Sequence, residues 1–338
     1  MQEPERIHLA HAPTPLERAP RFSSEMTRTN VWIKRDDCTG LAFGGNKARR
    51  LEFLMAAARQ AGADTVITFG GVQSNHARST AAAARKLGMD CHLILAGSPP
   101  DDTTGNLLLD RVLGATFTFL SLAPQELTPR RVEDAFEAAE ERLRAKNRRP
   151  FRIGPGGSTP LGVLGYRRAF DEILEQARGF GVSVTHLVTA FGTGGTLAGL
   201  VLGNILSGRP VSILGVSVAP PGMPDSIGVP PVRELVEQAS ALLGQRVTPV
   251  AGDINITYEY AGRAYALPTT EGNEAIRSLA HTEGVFLEPV YTGKAMAALI
   301  DLSRKGSFGL DDPDANVVFL HTGGTPALFA YSRSLAPS

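Results

Sequence analysis

The sequence predicts an α/β protein of two domains, each an open, twisted parallel sheet with flanking helices. Short apolar segments alternate with amphipathic ones, which is typical of parallel strands joined by crossover helices. The chain has 338 residues, more than a single hydrophobic core usually organises. The alternation breaks at a Gly- and Pro-rich stretch near 151–160. We therefore expect a smaller α/β domain at 48–160 inserted into a larger one formed by 1–47 and 161–338.

Individual elements follow from periodicity and turn residues. Apolar residues recur at helical spacing after Lys47, and compact β-branched or aromatic runs end at glycine turns. The Pro-rich stretch 1–30 and the Pro/Gly-rich stretch 219–231 are expected to be irregular. Predicted strands cover 31–34, 65–69, 91–95, 115–120, 185–190, 211–218 and 317–321. Predicted helices cover 47–61, 75–87, 105–113, 129–146, 163–177, 271–281 and 294–305, and another begins at 196.

Composition excludes several classes of function. Lys+Arg and Asp+Glu number 34 each, so no net field favours nucleic acid or a membrane surface. No apolar run has membrane-spanning length, and the acidic N-terminus lacks the apolar centre of a signal peptide. Cys38 and Cys91 lack the spacing of a metal site and are too few for a disulfide framework. We expect a soluble cytoplasmic protein without a bound metal.

Lys47 follows the pair Gly44-Gly45 and opens a predicted helix. Positive charge from that helix N-terminus, Arg49 and Arg50 would disfavour the ammonium form. A lysine with a lowered pKa is a nucleophile, suited to a Schiff base with an aldehyde cofactor. An ordinary solvated lysine is the alternative for Lys47 taken alone.

Two loops after predicted strands could bind anions. The stretch Gly192-Thr193-Gly194-Gly195-Thr196 opens a helix, where backbone N–H groups and the helix dipole favour an anion. Leu197 stands where a dinucleotide fingerprint has its last glycine, so a single phosphate fits better. The alternative is a tight turn.

The second loop, Gly70-Gly71-Val72-Gln73-Ser74-Asn75-His76, carries four consecutive polar side chains. These could cap a helix or bind a carboxylate. This loop, Lys47 and the turn at 322–325 all fall at strand ends, the edge where open α/β sheets bind ligands.

Five motifs together resemble one enzyme family. They are Gly-Gly-Asn-Lys at 44–47, Gln-Ser-Asn-His at 73–76, Gly-Thr-Gly-Gly-Thr at 192–196, Glu-Pro-Val-Tyr-Thr-Gly-Lys at 288–294 and His-Thr-Gly-Gly at 321–324. Their order is similar to that in the D-cysteine desulfhydrase/1-aminocyclopropane-1-carboxylate deaminase family, over about 14–331. The resemblance implies pyridoxal 5′-phosphate as cofactor, the tryptophan-synthase-β fold (fold type II), a homodimer, and a cofactor site in the cleft between two domains.

The resemblance also implies roles for individual residues. Lys47 would bind the cofactor covalently, and Ser74, Tyr291 and Tyr265 would join it in catalysis. Tyr265 lies between Ala264 and Ala266, where the family has glycines, so a packed surface tyrosine is its alternative. Cofactor contacts are implied for Asn46, Arg50, Asn75, Gly192, Thr193, Gly194, Gly195, Thr196, Thr292 and Thr322. Substrate contacts are implied for Gln73, Ser74, Asn75 and His76.

Thr292 and Thr322 bear on the reaction. In the cyclopropane deaminases a glutamate at the first position faces the pyridine nitrogen, and the neutral hydroxyl here would give a weaker electron sink. We therefore expect β-elimination from a small amino acid, giving a keto acid and ammonia. A 1-aminocyclopropane-1-carboxylate deaminase, an L-cysteate sulfo-lyase and a ring-forming enzyme acting on S-adenosylmethionine are alternatives. A pyridoxal-phosphate carrier or sensor is the non-enzymatic one.

Overall fold

The computed structural model describes residues 3–26, 29–123, 126–222, 227–308 and 315–335. Its strands are β1 Leu16–Arg18, β2 Asn30–Lys34, β3 Thr65–Gly71, β4 Asp90–Ala96, β5 Thr116–Leu120, β6 Pro150–Ile153, β7 His186–Phe191, β8 Ser212–Ser217, β9 Asn255–Thr257 and β10 Asn316–Leu320. Its helices are α1 Pro20–Ser23, α2 Lys47–Gln60, α3 Asn75–Lys86, α4 Gly105–Val112, α5 Pro129–Arg144, α6 Pro160–Gly179, α7 Gly195–Leu206, α8 Val232–Leu242, α9 Thr270–Glu283, α10 Thr292–Arg304, α11 Thr325–Ala330 and α12 Ser332–Leu335. Within these residues no helix is both long and apolar enough to cross a membrane.

The strands form two sheets, and the α/β class is confirmed. One sheet has six strands in the order β1-β2-β10-β7-β8-β9, and the other has four in the order β5-β4-β3-β6. The four-stranded sheet is parallel throughout, as predicted. The six-stranded sheet is mixed, because β1 pairs antiparallel with β2. The prediction of a wholly parallel sheet is wrong at this edge, since β1 lies in the Pro-rich stretch expected to be irregular.

The predicted elements recur with small changes of boundary. Seven described elements were not predicted, namely β1, α1, β6, α8, β9, α11 and α12. β6 and β9 have four and three residues, too short for a clear alternation. α8 follows directly on the Pro/Gly-rich stretch, which obscured its start. Strands of the four-stranded sheet all come from 65–153, whereas those of the other sheet come from 16–34 and 186–320.

Helices α6 and α7 approach each other closely in the core of the six-stranded sheet. A Cβ on Gly199 of α7 would lie 2.4 Å from the Cβ of Tyr166 on α6, so only glycine allows this contact. The first eleven residues of α7 are all buried, which explains its apolar character on every face. The packing fixes the N-terminus of α7, where the predicted phosphate loop lies.

A buried ionic network fixes α2 to α6 and β2. Arg49 of α2 donates to both carboxylate oxygens of Asp36, at 2.8 and 2.9 Å, and to Glu172 of α6. Lys34 of β2 donates to Glu172 at 2.5 Å, and the Tyr166 hydroxyl donates to Asp36 at 2.5 Å. Burial opposes ionisation of Asp36, but Arg49 and Lys34 outweigh it and hold its pKa below the usual range.

Substituting Asp36→Asn should lower the free energy of unfolding by about 3–5 kcal/mol, because Arg49 would lose the fully buried one of its two charge partners. Asp134→Asn is the control, since the exposed Arg130–Asp134 pair contributes only about 0.3–0.5 kcal/mol. Urea denaturation at pH 7 measures both. The Asp36 contribution should be lost as pH falls through its lowered pKa. Equal effects of the two substitutions would contradict the importance of the buried network.

Candidate active site

A cavity of about 770 Å³ lies at the carboxyl ends of strands from both sheets. The turns after β3, β7 and β10 all contribute to its wall. Most of the residues predicted as site residues line it. They are Asn46, Lys47, Arg50, Gln73, Ser74, Asn75, His76, Gly192, Thr193, Gly194, Thr196, Tyr265, Tyr291 and Thr322.

Lys47 is the first residue of α2 and follows an unusual loop. Residues 42–45 all have positive φ, and two of them, Ala42 at 43° and Phe43 at 67°, are not glycine. Arg78 of α3 is fully buried and donates to the carbonyl oxygens of Ala42 and Gly44, the latter at 3.2 Å. The Arg78 guanidinium thus holds together carbonyls that this backbone conformation points inwards.

The environment of Lys47 disfavours its ammonium form. Burial lowers its pKa well below the ordinary value, the charges of Arg50 and Arg78 lower it further, and Glu288 opposes them. The Lys47 Nζ donates to Asn46 Oδ1 at 2.9 Å. The expected lowering is present, but Arg49 is not a source of it, because its charge is paired with Asp36 and Glu172. Arg78, and not Arg49, is the second cation that lowers the pKa of Lys47.

Arg50 and the start of α7 form an anion site. Gly194 has φ 83° and precedes the first helical residue, Gly195, whose N–H donates to Ser158 Oγ at 3.1 Å. The buried Arg50 side chain donates to Gly156 O at 2.7 Å, to Ser158 Oγ at 3.1 Å and to Thr196 Oγ1. None of these partners is an acid, and its Nε has no partner in the described chain. A buried guanidinium at a helix N-terminus without a carboxylate is suited to a phosphate.

The polar loop at the start of α3 divides into two groups. Ser74 caps α3 by accepting from Ala77 N at 3.1 Å, and Asn75 Oδ1 accepts from Asn106 at 2.8 Å. Both line the cavity, so the cap and the predicted ligand site coincide. The amide of Gln73 instead bonds to backbone atoms of the α4 start, donating to Thr104 O at 3.0 Å and accepting from Asn106 N at 2.8 Å.

Tyr265 and Tyr291 form a pair on the cavity wall. Their hydroxyls are hydrogen-bonded and their rings meet edge to face, with centroids 5.9 Å apart. Burial raises the pKa of both phenols, well above the ordinary value for Tyr291. Both groups therefore stay protonated at neutral pH. Tyr265 is partly buried in the cavity, so the alternative of a surface tyrosine does not describe it.

Comparison with known proteins identifies the family. The sequence matches the profile of the family described as "Pyridoxal-phosphate dependent enzyme" over residues 7–323. The chain belongs to that family. Its cofactor is therefore pyridoxal phosphate, as the motifs predicted.

Similar proteins are named either as 1-aminocyclopropane-1-carboxylate deaminases or as D-cysteine desulfhydrases. The chain is 40% identical over 331 residues to a "Putative 1-aminocyclopropane-1-carboxylate deaminase" of Pyrococcus abyssi, covering 98% of this chain and 94% of the other. It is 41% identical over 329 residues to a "D-cysteine desulfhydrase" of Salmonella typhi, covering 96% of each. The crystal structure of an "ACC deaminase homologue" superposes with a TM-score of 0.86 at 38% identity, covering 98% and 95% of the two chains. Fold type II is confirmed by this match.

The site residues fit the cofactor of this family. Arg50 offers a charge that no acid in the described chain neutralises, and the glycines before α7 leave room beside it. A Cβ on Gly195 would lie 2.7 Å from Ser158 Oγ and 3.0 Å from Arg50 Nη1, so a side chain would fill the space against the guanidinium. Both features fit a phosphate group held between Arg50 and the α7 N-terminus.

The contact predicted for Thr292 needs correction, whereas those of His76 and Gln73 stay predictions. Thr292 Oγ1 accepts from Glu288 N at 2.8 Å and is absent from the cavity wall, because it is buried against the segment that precedes α10. His76 lines the cavity, but its Nε2 bonds to Thr68 Oγ1 at 2.8 Å. Since the Thr68 hydroxyl already donates to Ile153 O, the ring donates through Nε2, and its Nδ1 has no partner in the described chain. Gln73 lines the cavity and also orders α4 through the bonds described above.

Glu288 is a buried carboxylate that the sequence analysis did not single out. Its oxygens accept from the N–H groups of Val290, Tyr291 and Thr292 at 2.7–2.9 Å, at the N-terminus of α10. Burial nevertheless raises its pKa from 4.5 to about 7. The motif Glu-Pro-Val-Tyr offered a signal, because an acid three residues before a tyrosine can cap the same turn.

The Glu288 pKa predicts a pH dependence of stability. As pH rises from about 4.5 to about 7, the unfolded chain loses this proton before the native state does, so the free energy of unfolding should fall. Glu288→Gln should remove that slope while costing about 1–3 kcal/mol for a mispaired buried N–H. The measurement is urea denaturation across this pH range. A difference between wild type and variant that is independent of pH would contradict the raised pKa.

The charge of Arg78 contributes to the lowered pKa of Lys47, and a substitution can test this. Arg78→Met should raise the pKa of Lys47, because one of the two nearby cations is removed. The pH dependence of Lys47 acylation in the cofactor-free protein, followed by peptide mass spectrometry, measures this pKa. Arg85→Met, on the exposed side of the same helix, is the control and should leave it unchanged. An unaltered Lys47 pKa in Arg78→Met would show that burial alone sets it.

Proposed function

We propose that this protein is a pyridoxal-phosphate-dependent carbon–sulfur lyase of the D-cysteine desulfhydrase type. It would eliminate a β-substituent such as a thiol from a small amino acid and release a keto acid and ammonia. The observation that carries the proposal is a lysine of lowered pKa and a protonated tyrosine pair on the walls of one cavity.

The residues would divide the work as follows. Lys47 holds the cofactor and, once released from it, accepts the α-proton of the substrate. Ser74 and Asn75, at the N-terminus of α3, bind the substrate carboxylate, for which the helix dipole is favourable. Arg50 and the N–H groups of residues 194–196 bind the phosphate.

Bound pyridoxal phosphate supplies an electron-accepting ring that acidifies the proton on the substrate Cα. The raised phenol pKa keeps a proton on Tyr291, which can pass to the leaving thiolate. Tyr265 fixes the orientation of the Tyr291 hydroxyl through their hydrogen bond. The overall reaction consumes one water and gives pyruvate, ammonia and hydrogen sulfide from cysteine.

Thr322 supports elimination over ring-opening. It lines the cavity with a neutral hydroxyl, whereas the nearby acid Glu288 has its oxygens occupied by three backbone N–H groups. A hydroxyl does not hold the pyridine nitrogen protonated as a carboxylate does, so the electron sink is weaker. A good leaving group at Cβ needs less electron withdrawal than a cyclopropane ring does.

1-Aminocyclopropane-1-carboxylate deaminase activity is the second candidate. It is supported by the names of the Pyrococcus abyssi relative and of the superposed crystal structure. Both activities use the same lysine and cofactor, so their products distinguish them.

The organisation of the chain is also part of the proposal. We assign the four-stranded sheet to an inserted domain at 48–160 and the six-stranded sheet to a larger one at 1–47 and 161–338. Support comes from the segregation of the strands between the sheets and from a cavity with walls from both. The free thiols of Cys38 and Cys91 support a cytoplasmic location, and the family resemblance supports a homodimer.

A substrate panel tests the proposed reaction. We expect wild type to release pyruvate from D-cysteine, and to release little 2-oxobutyrate from 1-aminocyclopropane-1-carboxylate. L-Cysteate and S-adenosylmethionine complete the panel. Lys47→Ala should lower turnover by about 100- to 10,000-fold, since it loses the proton acceptor, and should lose covalently bound cofactor.

The matched control is Lys86→Ala, which replaces an exposed lysine at the end of α3. This variant should keep the covalently bound cofactor, with its yellow absorbance, and the activity. Efficient 2-oxobutyrate release by wild type would favour the deaminase. A yellow, active Lys47→Ala variant would refute the role of Lys47.

A further inference from the structure

Lys294, in the first turn of α10, is a buried cation that the proposed reaction does not use. Its side chain is fully buried, and its Nζ donates to Ala261 O at 2.7 Å, Val218 O at 3.0 Å and Ala264 O at 3.4 Å. Within the described chain these carbonyls are its only hydrogen-bond partners, and it has no salt bridge. The three N–H donors of one ammonium therefore have three backbone acceptors.

These carbonyls belong to two separate parts of the site. Val218 directly follows β8 of the six-stranded sheet. Ala261 and Ala264 lie in the irregular segment 258–269 between β9 and α9, which carries Tyr265 into the cavity. The Lys294 ammonium thus connects the end of a core strand to the segment that presents Tyr265.

The Tyr265 segment has little backbone bonding of its own, namely turn hydrogen bonds from Ala261 N to Tyr258 O at 3.1 Å and from Leu267 N to Ala264 O at 3.4 Å. It forms no helix or strand, and Ala266, next to Tyr265, has φ 63°, a left-handed conformation unfavourable for alanine. A second tie runs from the same helix, where Tyr260 bonds to Asp301. That tie is at the exposed end of the segment, five residues before Tyr265, whereas Ala264 directly precedes it.

Charge makes the Lys294 connection strong. Carbonyl groups that accept from a cation form hydrogen bonds about twice as strong as those between neutral groups. If a carboxylate were bound to the Lys294 ammonium, it would accept the N–H groups that now bond to these carbonyls. The side chain is shielded from solvent, and this burial lowers the pKa of Lys294 to about 8, although the charge of Glu288 favours the ammonium form.

We propose that Lys294 is a positioning residue that holds Tyr265 against Tyr291 by binding the backbone carbonyls of the Tyr265 segment. The effect on turnover rests on the proposed function, in which the tyrosine pair serves the leaving group. The effect on tyrosine position does not depend on it.

The test follows Tyr265 directly. 3-Fluorotyrosine placed at position 265 gives one ¹⁹F resonance in the cofactor-free and the cofactor-loaded protein. Lys294→Ala should shift or broaden that resonance in both forms. n-Propylammonium, which matches the deleted part of the side chain, should restore it, and n-propanol, which lacks the charge and two donors, should not.

Kinetics of the loaded enzyme give the second readout. Lys294→Ala should lower kcat by about 10- to 100-fold, since misplacing a reacting group by about 1 Å can cost about 100-fold. KM should change much less, because the carboxylate and phosphate sites lie on α3 and α7. n-Propylammonium should recover part of kcat.

Two controls separate positioning from loss of stability. Tyr260→Phe removes the other tie to α10 and should leave the resonance near its wild-type position. Ile173→Ala creates a cavity in the distant α6 core, and should destabilise the protein without moving the resonance. If Lys294→Ala does not fold, Lys294→Gln, which keeps two neutral donors but loses the charge, replaces it and should also shift the Tyr265 resonance.

Three outcomes would overturn the proposal. They are an unchanged Tyr265 resonance in a folded Lys294 variant, an equal shift in Ile173→Ala, and equal rescue by n-propanol. A shifted resonance in a protein that fails every substrate of the panel would support the positioning role and refute the proposed reaction. The two hypotheses can therefore fail separately.

Discussion

The cavity depends on cations that are buried without acids. Arg50, Arg78 and Lys294 each donate to backbone carbonyls, and no carboxylate forms a salt bridge with them within the described residues. Burying a charge is costly unless it is well hydrogen-bonded, so these carbonyls must be held in place by the fold. The loop before Lys47 supplies those of Arg78, the turn after β6 supplies that of Arg50, and the segment carrying Tyr265 and the end of β8 supply those of Lys294. Of the three, Arg50 lines the cavity itself, and no acid in the described chain forms a salt bridge with it.

Arg49 and Arg50 differ in role because their hydrogen-bond partners differ. They are neighbours on α2, yet Arg49 is compensated by Asp36 and Glu172, whereas Arg50 has a hydroxyl and carbonyl environment. Arg49 stabilises the packing of α2 on α6. Arg50 lowers the pKa of Lys47 and offers its charge to an anion. One helix turn thus serves both the core and the chemistry.

The sequence predicted the parts of the site that depend on local signals. Lys47 opens its helix, and the glycine loop opens α7, because glycine turns and apolar periodicity are local. The α/β class followed from the same signals. Thr292 was assigned to the cavity because a motif shows residue type and spacing, but not the direction of a side chain. Arg78 and Lys294 escaped notice, since their partners are backbone atoms distant in sequence. The partners of Glu288 are local, but its burial depends on the tertiary fold.

The close approach of α6 and α7 gives the two walls of the cavity unequal stiffness. Gly199 brings the helix axes together, so the anion end rests on tightly packed core. The opposite wall carries Tyr265 on a segment without regular structure. Changes in the Tyr265 segment can therefore alter one wall of the cavity with little disturbance of the wall formed by the α7 N-terminus. Divergence in reaction among enzymes built on this scaffold should accumulate in that segment.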